Sequence, residues 1–179
     1  MTGRHVMLVG MMGAGKTTIG AECARKLDRG FVDTDELIET TAGRTIAEIF
    51  GSDGEAAFRA MERAAVADVC TSPVPLVIAV GGGAMLDPEN QRLAGTNATV
   101  VWLRADPREL AQRVAAQDVE AGAERPLLAT ADQVATIERL TSLRADAYAA
   151  IADVVVDTDD RSVATVAAAV LKELARCDA

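Results

Sequence analysis

The stretch "GMMGAGKT", residues 10–17, decides how the rest of the chain is read. It fits the pattern G-x-x-x-x-G-K-[ST], follows the apolar run "HVMLVG" (5–10) and leads into the helical pattern "KTTIGAECARKL" (16–27). Strand, glycine loop and helix form the setting in which this pattern holds phosphate. The glycines let the backbone curl until several N–H groups converge on phosphate oxygens, and the helix N-terminus adds partial positive charge. Gly13, Ala14, Gly15 and Thr18 are candidates for these contacts. Lys16 supplies a full charge for the β- and γ-phosphates of a nucleotide, and the Thr17 hydroxyl can coordinate Mg²⁺. Only Lys16, Lys26 and Lys172 are lysines, so a lysine inside a motif carries extra weight.

Outward from this loop, four more short apolar runs read as strands: "GFVDTD" (30–35), "LVIAV" (76–80), "ATVVWL" (98–103) and "DVVVDT" (153–158). They are nearly continuous rather than alternating, as expected for strands covered on both faces. Helical patterns lie between them. "DELIETTAG" ends at Gly43 as a C-cap, and "GEAAFRAMERAAVADVC" (54–70) is expected to start with a capping box at Ser52 and Glu55. Further helices are expected in "DPRELAQRVAAQ", "ADQVATIERLTSLRADAYAAIA" and "RSVATVAAAVLKELAR". Alternating strands and helices predict an α/β fold with a parallel sheet, in one domain over residues 1–179. The loop candidate is "DVEAGAERPLLATAD" (118–132), rich in small and charged residues.

Composition narrows the function. A net charge of −9 argues against a nucleic-acid or anionic-membrane surface. No apolar run is long enough to span a bilayer, and the N-terminal stretch does not read as a signal peptide. Cys23, Cys70 and Cys177 are scattered, odd in number and without metal spacing, which points to a reducing cytoplasm and no structural disulfide. With His5 the lone histidine, multi-histidine sites are excluded. There is no N-K-x-D element of a guanine-specific switch and no apolar strand ending in D-E as in motor ATPases. A small nucleotide-dependent kinase remains, with a second substrate held beside the γ-phosphate.

That substrate is expected beyond the carboxyl ends of the strands. Asp33 and Asp35 follow the second strand; as residues i and i+2 of an extended segment they would share a face, with Thr34 pointing away. Capping of the next helix would use one of them. Gly81, Gly82 and Gly83 follow the third strand and would let a substrate approach the backbone. Arg59 and Glu62, three apart on a helix, can pair. Arg125, before Pro126 in the loop candidate, could close over the transferring phosphoryl group. Arg144 is unremarkable by itself.

Together, "GMMGAGKTT", "VDTD", "FRAMER", "GGG", "RPLL" and "LRADAY" occur in the order and spacing of shikimate kinases, and the chain resembles that family over nearly its whole length. The resemblance implies a P-loop NTPase fold, with a five-stranded parallel sheet in the order 2-3-1-4-5, flanked by helices, and a lid loop over residues 115–130. It implies transfer of the γ-phosphoryl group of ATP to the shikimate 3-hydroxyl with Mg²⁺, on the route to chorismate and the aromatic amino acids, by a monomeric cytoplasmic enzyme. By the same resemblance Asp35 meets the substrate hydroxyls as candidate base, and Arg59 and Arg144 hold the carboxylate. Glu62 orients Arg59, the Gly82 and Gly83 backbone meets a ring hydroxyl, and Gly81 joins them among the substrate-binding residues. Asp33 joins Thr17 in the Mg²⁺ shell, Arg125 reaches the phosphates, and Arg113 and Arg161 lie at the adenine side. The sequence departs from the family in a longer Arg113–Arg125 stretch and in Val163, where some members have proline. A kinase for a related hydroxylated small molecule, such as gluconate or another cyclitol, is the nearest alternative, and an ATP-binding regulatory or assembly protein without turnover is a third.

Overall fold

The computed structural model describes residues 3–121 and 132–177. Five parallel strands, β1 (His5–Val9), β2 (Gly30–Asp33), β3 (Leu76–Ala79), β4 (Ala98–Arg104) and β5 (Val154–Asp157), form one sheet in the order β2-β3-β1-β4-β5. The register pairs Val6 with Val77 and Met7 with Val100 about the central strand. All of β1 is buried, as its unbroken apolar sequence requires. At the margins the expectation of continuous burial fails. β5 alternates buried and exposed, with Val155 open to solvent, and β2 is only half-buried. Edge strands lack a neighbour on one side, and here the helices do not cover both of their faces.

Seven helices surround the sheet among the described residues: α1 (Lys16–Leu27), α2 (Thr34–Ala42), α3 (Ile46–Cys70), α4 (Pro88–Asn97), α5 (Pro107–Ala121), α6 (Gln133–Ile151) and α7 (Val163–Cys177). Gly43 ends α2 in the left-handed conformation, as the sequence suggests. The start of α3 differs from expectation. A capping box forms at Thr45 and Glu48, seven residues upstream of the expected one at Ser52 and Glu55, and Gly54 interrupts the helix with φ 81° and ψ 172°. Ser52 donates its hydroxyl to the Glu48 carbonyl rather than capping. Helix α4 has no counterpart in the sequence reading, because its polar sequence hides any apolar period; Asp87 caps it and Pro88 stands in its first turn. Helix α5 runs to Ala121, so the first part of the expected lid is helical; residues 122–131 lie outside the described residues.

The main core packs α1, α7 and the helices of the opposite face on the central strands. A second, smaller cluster of Ile38, Ile49, Phe58 and Ala65 joins α2 to α3. It anchors the two helices that carry Asp35, Arg59 and Glu62. All three cysteines are free, and burial pushes Cys23 and Cys70 up to about 11, which makes these two thiols inert near neutrality. Among the described residues no helix is long and apolar enough to cross a membrane.

His5 couples this core to pH. It is buried, and its Nδ1 accepts a hydrogen bond from the Leu76 amide at 3.0 Å. Burial holds its pKa below the ordinary 6.5, so the fold selects the neutral ring. Its stabilising contribution is full above the unfolded value and is lost as pH falls toward the folded one. Urea unfolding of wild type and His5→Asn should therefore show the wild-type advantage shrinking between pH 7 and pH 5; an advantage independent of pH would refute this.

Candidate active site

The phosphate loop is built as the sequence predicts. Gly10, Gly13 and Gly15 have φ of 144°, 79° and 85°, which side chains rarely tolerate. A Cβ at position 10 would meet the Leu103 carbonyl oxygen, and one at position 13 would lie 2.9 Å from the Leu110 carbonyl oxygen. Gly15 precedes α1, whose first residues are Lys16, Thr17 and Thr18. Lys16 Nζ donates to the carbonyls of Gly10 and Met11, each at 3.0 Å, and Ala14 N closes the loop onto Met11 O. Thr17 and Thr18 are exposed at the helix start.

Asp33 and Asp35 come together by a different route from the expected one. Asp33 ends β2, but Thr34 already begins α2, so the two aspartates do not share a strand face. Asp33 is the N-cap, with Oδ1 accepting from the Asp35 amide at 3.0 Å. Its other oxygen accepts from the Thr17 hydroxyl at 2.7 Å. One aspartate thus caps a helix and faces the phosphate loop at once. Thr34 points away but has a use: it is fully buried, and its Oγ1 accepts from the Gly81 amide at 3.3 Å. Asp35 turns inward on the first turn of α2.

The glycine triplet explains where the charged groups go. A Cβ at position 81 would lie 2.8 Å from Asp35 Oδ1 and 2.8 Å from Glu62 Oε1. One at position 82 would lie 3.1 Å from Arg144 Nη1, and one at position 83 would lie 2.7 Å from Arg59 Nη1. Each missing side chain makes room for a charged group of the protein itself. Four residues from three helices therefore converge on three consecutive glycines.

Their electrostatics are unusual. Glu62 is 2% exposed and Arg144 is 3% exposed. Arg59 Nη1 donates to Glu62 Oε2 at 2.8 Å, and Arg59 Nη2 donates to Glu55 at 3.2 Å. Arg144 Nη1 donates to the Met11 sulfur at 3.6 Å, and the Arg144 guanidinium also lies within hydrogen-bond reach of the Tyr148 hydroxyl. Asp35 Oδ1, Glu62 Oε1 and Arg144 Nε are buried without a hydrogen-bond partner among the described residues. Such groups are costly unless something satisfies them. Burial pushes the Asp35 carboxyl up to about 6, aided by the Asp33 charge and opposed by Lys16. Burial likewise raises Glu62, against the pull of Arg59 and Arg144.

On the other side of the loop, Arg113 donates to Glu109, to the Thr158 hydroxyl at 3.0 Å and to the Thr158 carbonyl at 2.8 Å. Arg161 donates to the Asp157 carbonyl at 2.9 Å. Both arginines thus meet at the connection from β5 to α7, on the α5 side of the phosphate loop, and Val163 opens α7 beside them. Arg125 lies outside the described residues. Sequence reasoning missed the side-chain contacts of Thr34 with Gly81, Met11 with Arg144 and Tyr148 with Gly82, which join residues distant in the chain.

A phosphate loop at the carboxyl end of a 2-3-1-4-5 parallel sheet, beside a buried cluster of arginines and carboxylates, defines a P-loop kinase of small molecules. The comparisons with known proteins agree. The family model described as "Shikimate kinase" matches residues 12–175. The shikimate kinase of Symbiobacterium thermophilum is 41% identical over 170 residues, covering 95% of each chain. That of Bordetella pertussis is 42% identical over 169 residues, covering 94% of this chain and 77% of its own. The structure of shikimate kinase from Acinetobacter baumannii in complex with shikimate superimposes with a TM-score of 0.91 at 31% identity, covering 98% of this chain and 94% of the other. The chain belongs to the shikimate kinase family.

Gly81→Ala would place a methyl group against the two buried carboxylate oxygens and displace them. Its kcat/KM for the second substrate should fall at least tenfold, on the scale that small misplacements cost. Nucleotide affinity, measured by calorimetry with ADP, should stay within about twofold, since the loop at Gly10–Thr17 is untouched.

Proposed function

We propose that this site carries out the family's reaction: transfer of the γ-phosphoryl group of ATP to the 3-hydroxyl of shikimate, giving shikimate 3-phosphate and ADP. The observation that carries the assignment of roles is the set of buried, unsatisfied atoms around Gly81–Gly83. Arg144 presents an unsatisfied Nε beside Arg59, and Asp35 and Glu62 each present an unsatisfied oxygen. A small acid with one carboxylate and several hydroxyls complements this set. Its carboxylate would take the guanidinium donors, and its hydroxyls would donate to the carboxylate oxygens.

The chemistry follows from placement. Phosphoryl transfer needs alignment and charge neutralisation more than covalent help from the protein. The backbone from Gly13 to Thr18 and the Lys16 ammonium would hold the nucleotide phosphates, with Lys16 exchanging its carbonyl contacts for phosphate oxygens. Arg113 and Arg161 would border the adenine. Thr17 and Asp33 would hold Mg²⁺: one hydroxyl and one carboxylate suit an ion that keeps several waters and phosphate oxygens. Bound there, the ion would neutralise charge on the phosphates. Asp35 would accept the proton of the attacking hydroxyl; with its carboxyl at about 6, it is ionised near neutrality yet basic enough to take that proton.

A coupled ADP assay with ATP, Mg²⁺ and shikimate tests the reading, and absence of shikimate-dependent turnover would sink it. Arg144→Ala should raise the shikimate KM roughly tenfold to a hundredfold, the equivalent of about 1.5–3 kcal/mol for a charged hydrogen bond. An unchanged KM in a folded variant would remove Arg144 from carboxylate binding.

Asp35 sets the pH dependence. Its ionised form is the active one, so kcat/KM for shikimate should be level above about pH 6 and fall tenfold per unit below it. The same shift acts on stability with the opposite sign. A carboxyl raised from 3.8 to about 6 stabilises the fold only in its protonated form, and that contribution is lost as pH rises through 6. Asp35→Asn should therefore lower kcat sharply and, without ligands at pH 8, stabilise the protein by up to about 2–3 kcal/mol. A destabilised Asn variant would show that the buried charge is compensated.

A further inference from the structure

Three glycines in a row have more backbone freedom than any other tripeptide, so hydrogen bonds must orient their peptide planes. The Gly81 amide is held by Thr34 Oγ1. The Gly81 carbonyl accepts from Ala84 N at 3.0 Å, and the Gly83 carbonyl accepts from Leu86 N at 3.0 Å. The Gly82 carbonyl is held by a side chain: it accepts the hydroxyl of Tyr148. Tyr148 stands one helical turn after Arg144 on α6, is 1% exposed, and packs its ring 5.7 Å from that of Trp102. Ring packing alone would be served by phenylalanine. The hydroxyl is a separate investment, since a buried hydroxyl needs a partner.

We propose that Tyr148 is a positioning residue for the second substrate: by fixing the Gly82 carbonyl it sets the peptide plane between Gly82 and Gly83, and so aims the Gly83 N–H. The peptide is trans and planar, so its carbonyl and its N–H point in opposite directions. With the carbonyl turned to Tyr148, the Gly83 N–H points away from α6 and is presented as a donor to a substrate hydroxyl. Burial pushes the phenol up to about 12, so it keeps its proton and remains a donor throughout the working pH range. The Tyr148 hydroxyl also approaches the Met11 sulfur at 3.9 Å, the atom that receives Arg144 Nη1. The same phenol thus lies between the phosphate loop, the carboxylate-binding arginine and the glycine triplet.

The inference rests on the reading that the glycine backbone meets a shikimate hydroxyl, and the experiment separates the two. Wild-type protein is assayed first; no shikimate-dependent ADP would refute the functional reading itself. With active wild type, Tyr148→Phe should raise the shikimate KM about fivefold to twentyfold, the size expected for one misdirected hydrogen bond. The ATP KM should stay within about twofold, because the phosphate loop keeps its own contacts. An unchanged shikimate KM, or equal rises for both substrates, would overturn the role of Tyr148 and leave the function standing. A second measurement does not depend on the variant folding. Tyr148 is the only tyrosine in the chain, so growth on 3-fluorotyrosine labels this one ring. Its ¹⁹F resonance should move on titration with shikimate and saturate near the shikimate KM; a resonance indifferent to shikimate would also overturn the proposal.

Discussion

The site depends on one steric constraint: three consecutive positions after β3 that have no Cβ. Gly81, Gly82 and Gly83 each leave a space that a charged atom of the protein fills to within about the distance a methyl group would occupy. Asp35 and Glu62 crowd the first, Arg144 the second and Arg59 the third. Any larger residue would push a buried charge out of place. The triplet is thus less an open floor for substrate than a moulded surface on which four ionisable groups are gathered at short range.

Gathering them is expensive. Glu62 and Arg144 are almost fully buried, and only part of their hydrogen-bonding capacity is met. Arg59 bridges Glu62 and Glu55, which neutralises one carboxylate but leaves Glu62 Oε1 and Asp35 Oδ1 unsatisfied. The packing that bears this cost lies on the same helices: the Ile38, Ile49, Phe58 and Ala65 cluster holds α2, which carries Asp35, against α3, which carries Glu62. Unsatisfied buried groups at a functional site are stabilised when ligand arrives, and that gain is available as binding energy. The same logic explains why Asp35 carries a raised pKa while Asp33, two residues earlier, is tied to a helix N-terminus and to Thr17.

Much of this was legible in the chain. The phosphate loop could be read residue by residue, because strand, turn and helix are local and glycine spacing dictates backbone shape. The five strands and their parallel character followed from unbroken apolar runs. The Arg59–Glu62 pair followed from helical spacing. Other features were misread for physical reasons. Two aspartates separated by one residue suggested a shared strand face, but the Asp33 cap starts the helix one residue later. Ser52 and Glu55 mimic a capping box, yet Thr45 and Glu48 form the real one, and Gly54 breaks the helix where a start was expected. Helix α4 was invisible because its burial is confined to Asn90 and Ala94.

The sequence by itself determined the class of fold, the phosphate-binding element and the family, since each rests on residues adjacent in the chain or on an ordered set of short motifs. Tertiary structure alone decided which atoms meet. That Arg144, 62 residues after Gly82, lies beside it is a consequence of how α6 packs, not of local spacing. That Thr34 holds the Gly81 amide and Tyr148 the Gly82 carbonyl follows from β2 pairing with β3 and from α6 lying across the strand ends. Local rules act over a few residues through backbone sterics and hydrogen-bond periodicity. Contacts between distant residues are chosen by the packing of whole elements, and that choice turned scattered arginines and aspartates into one site.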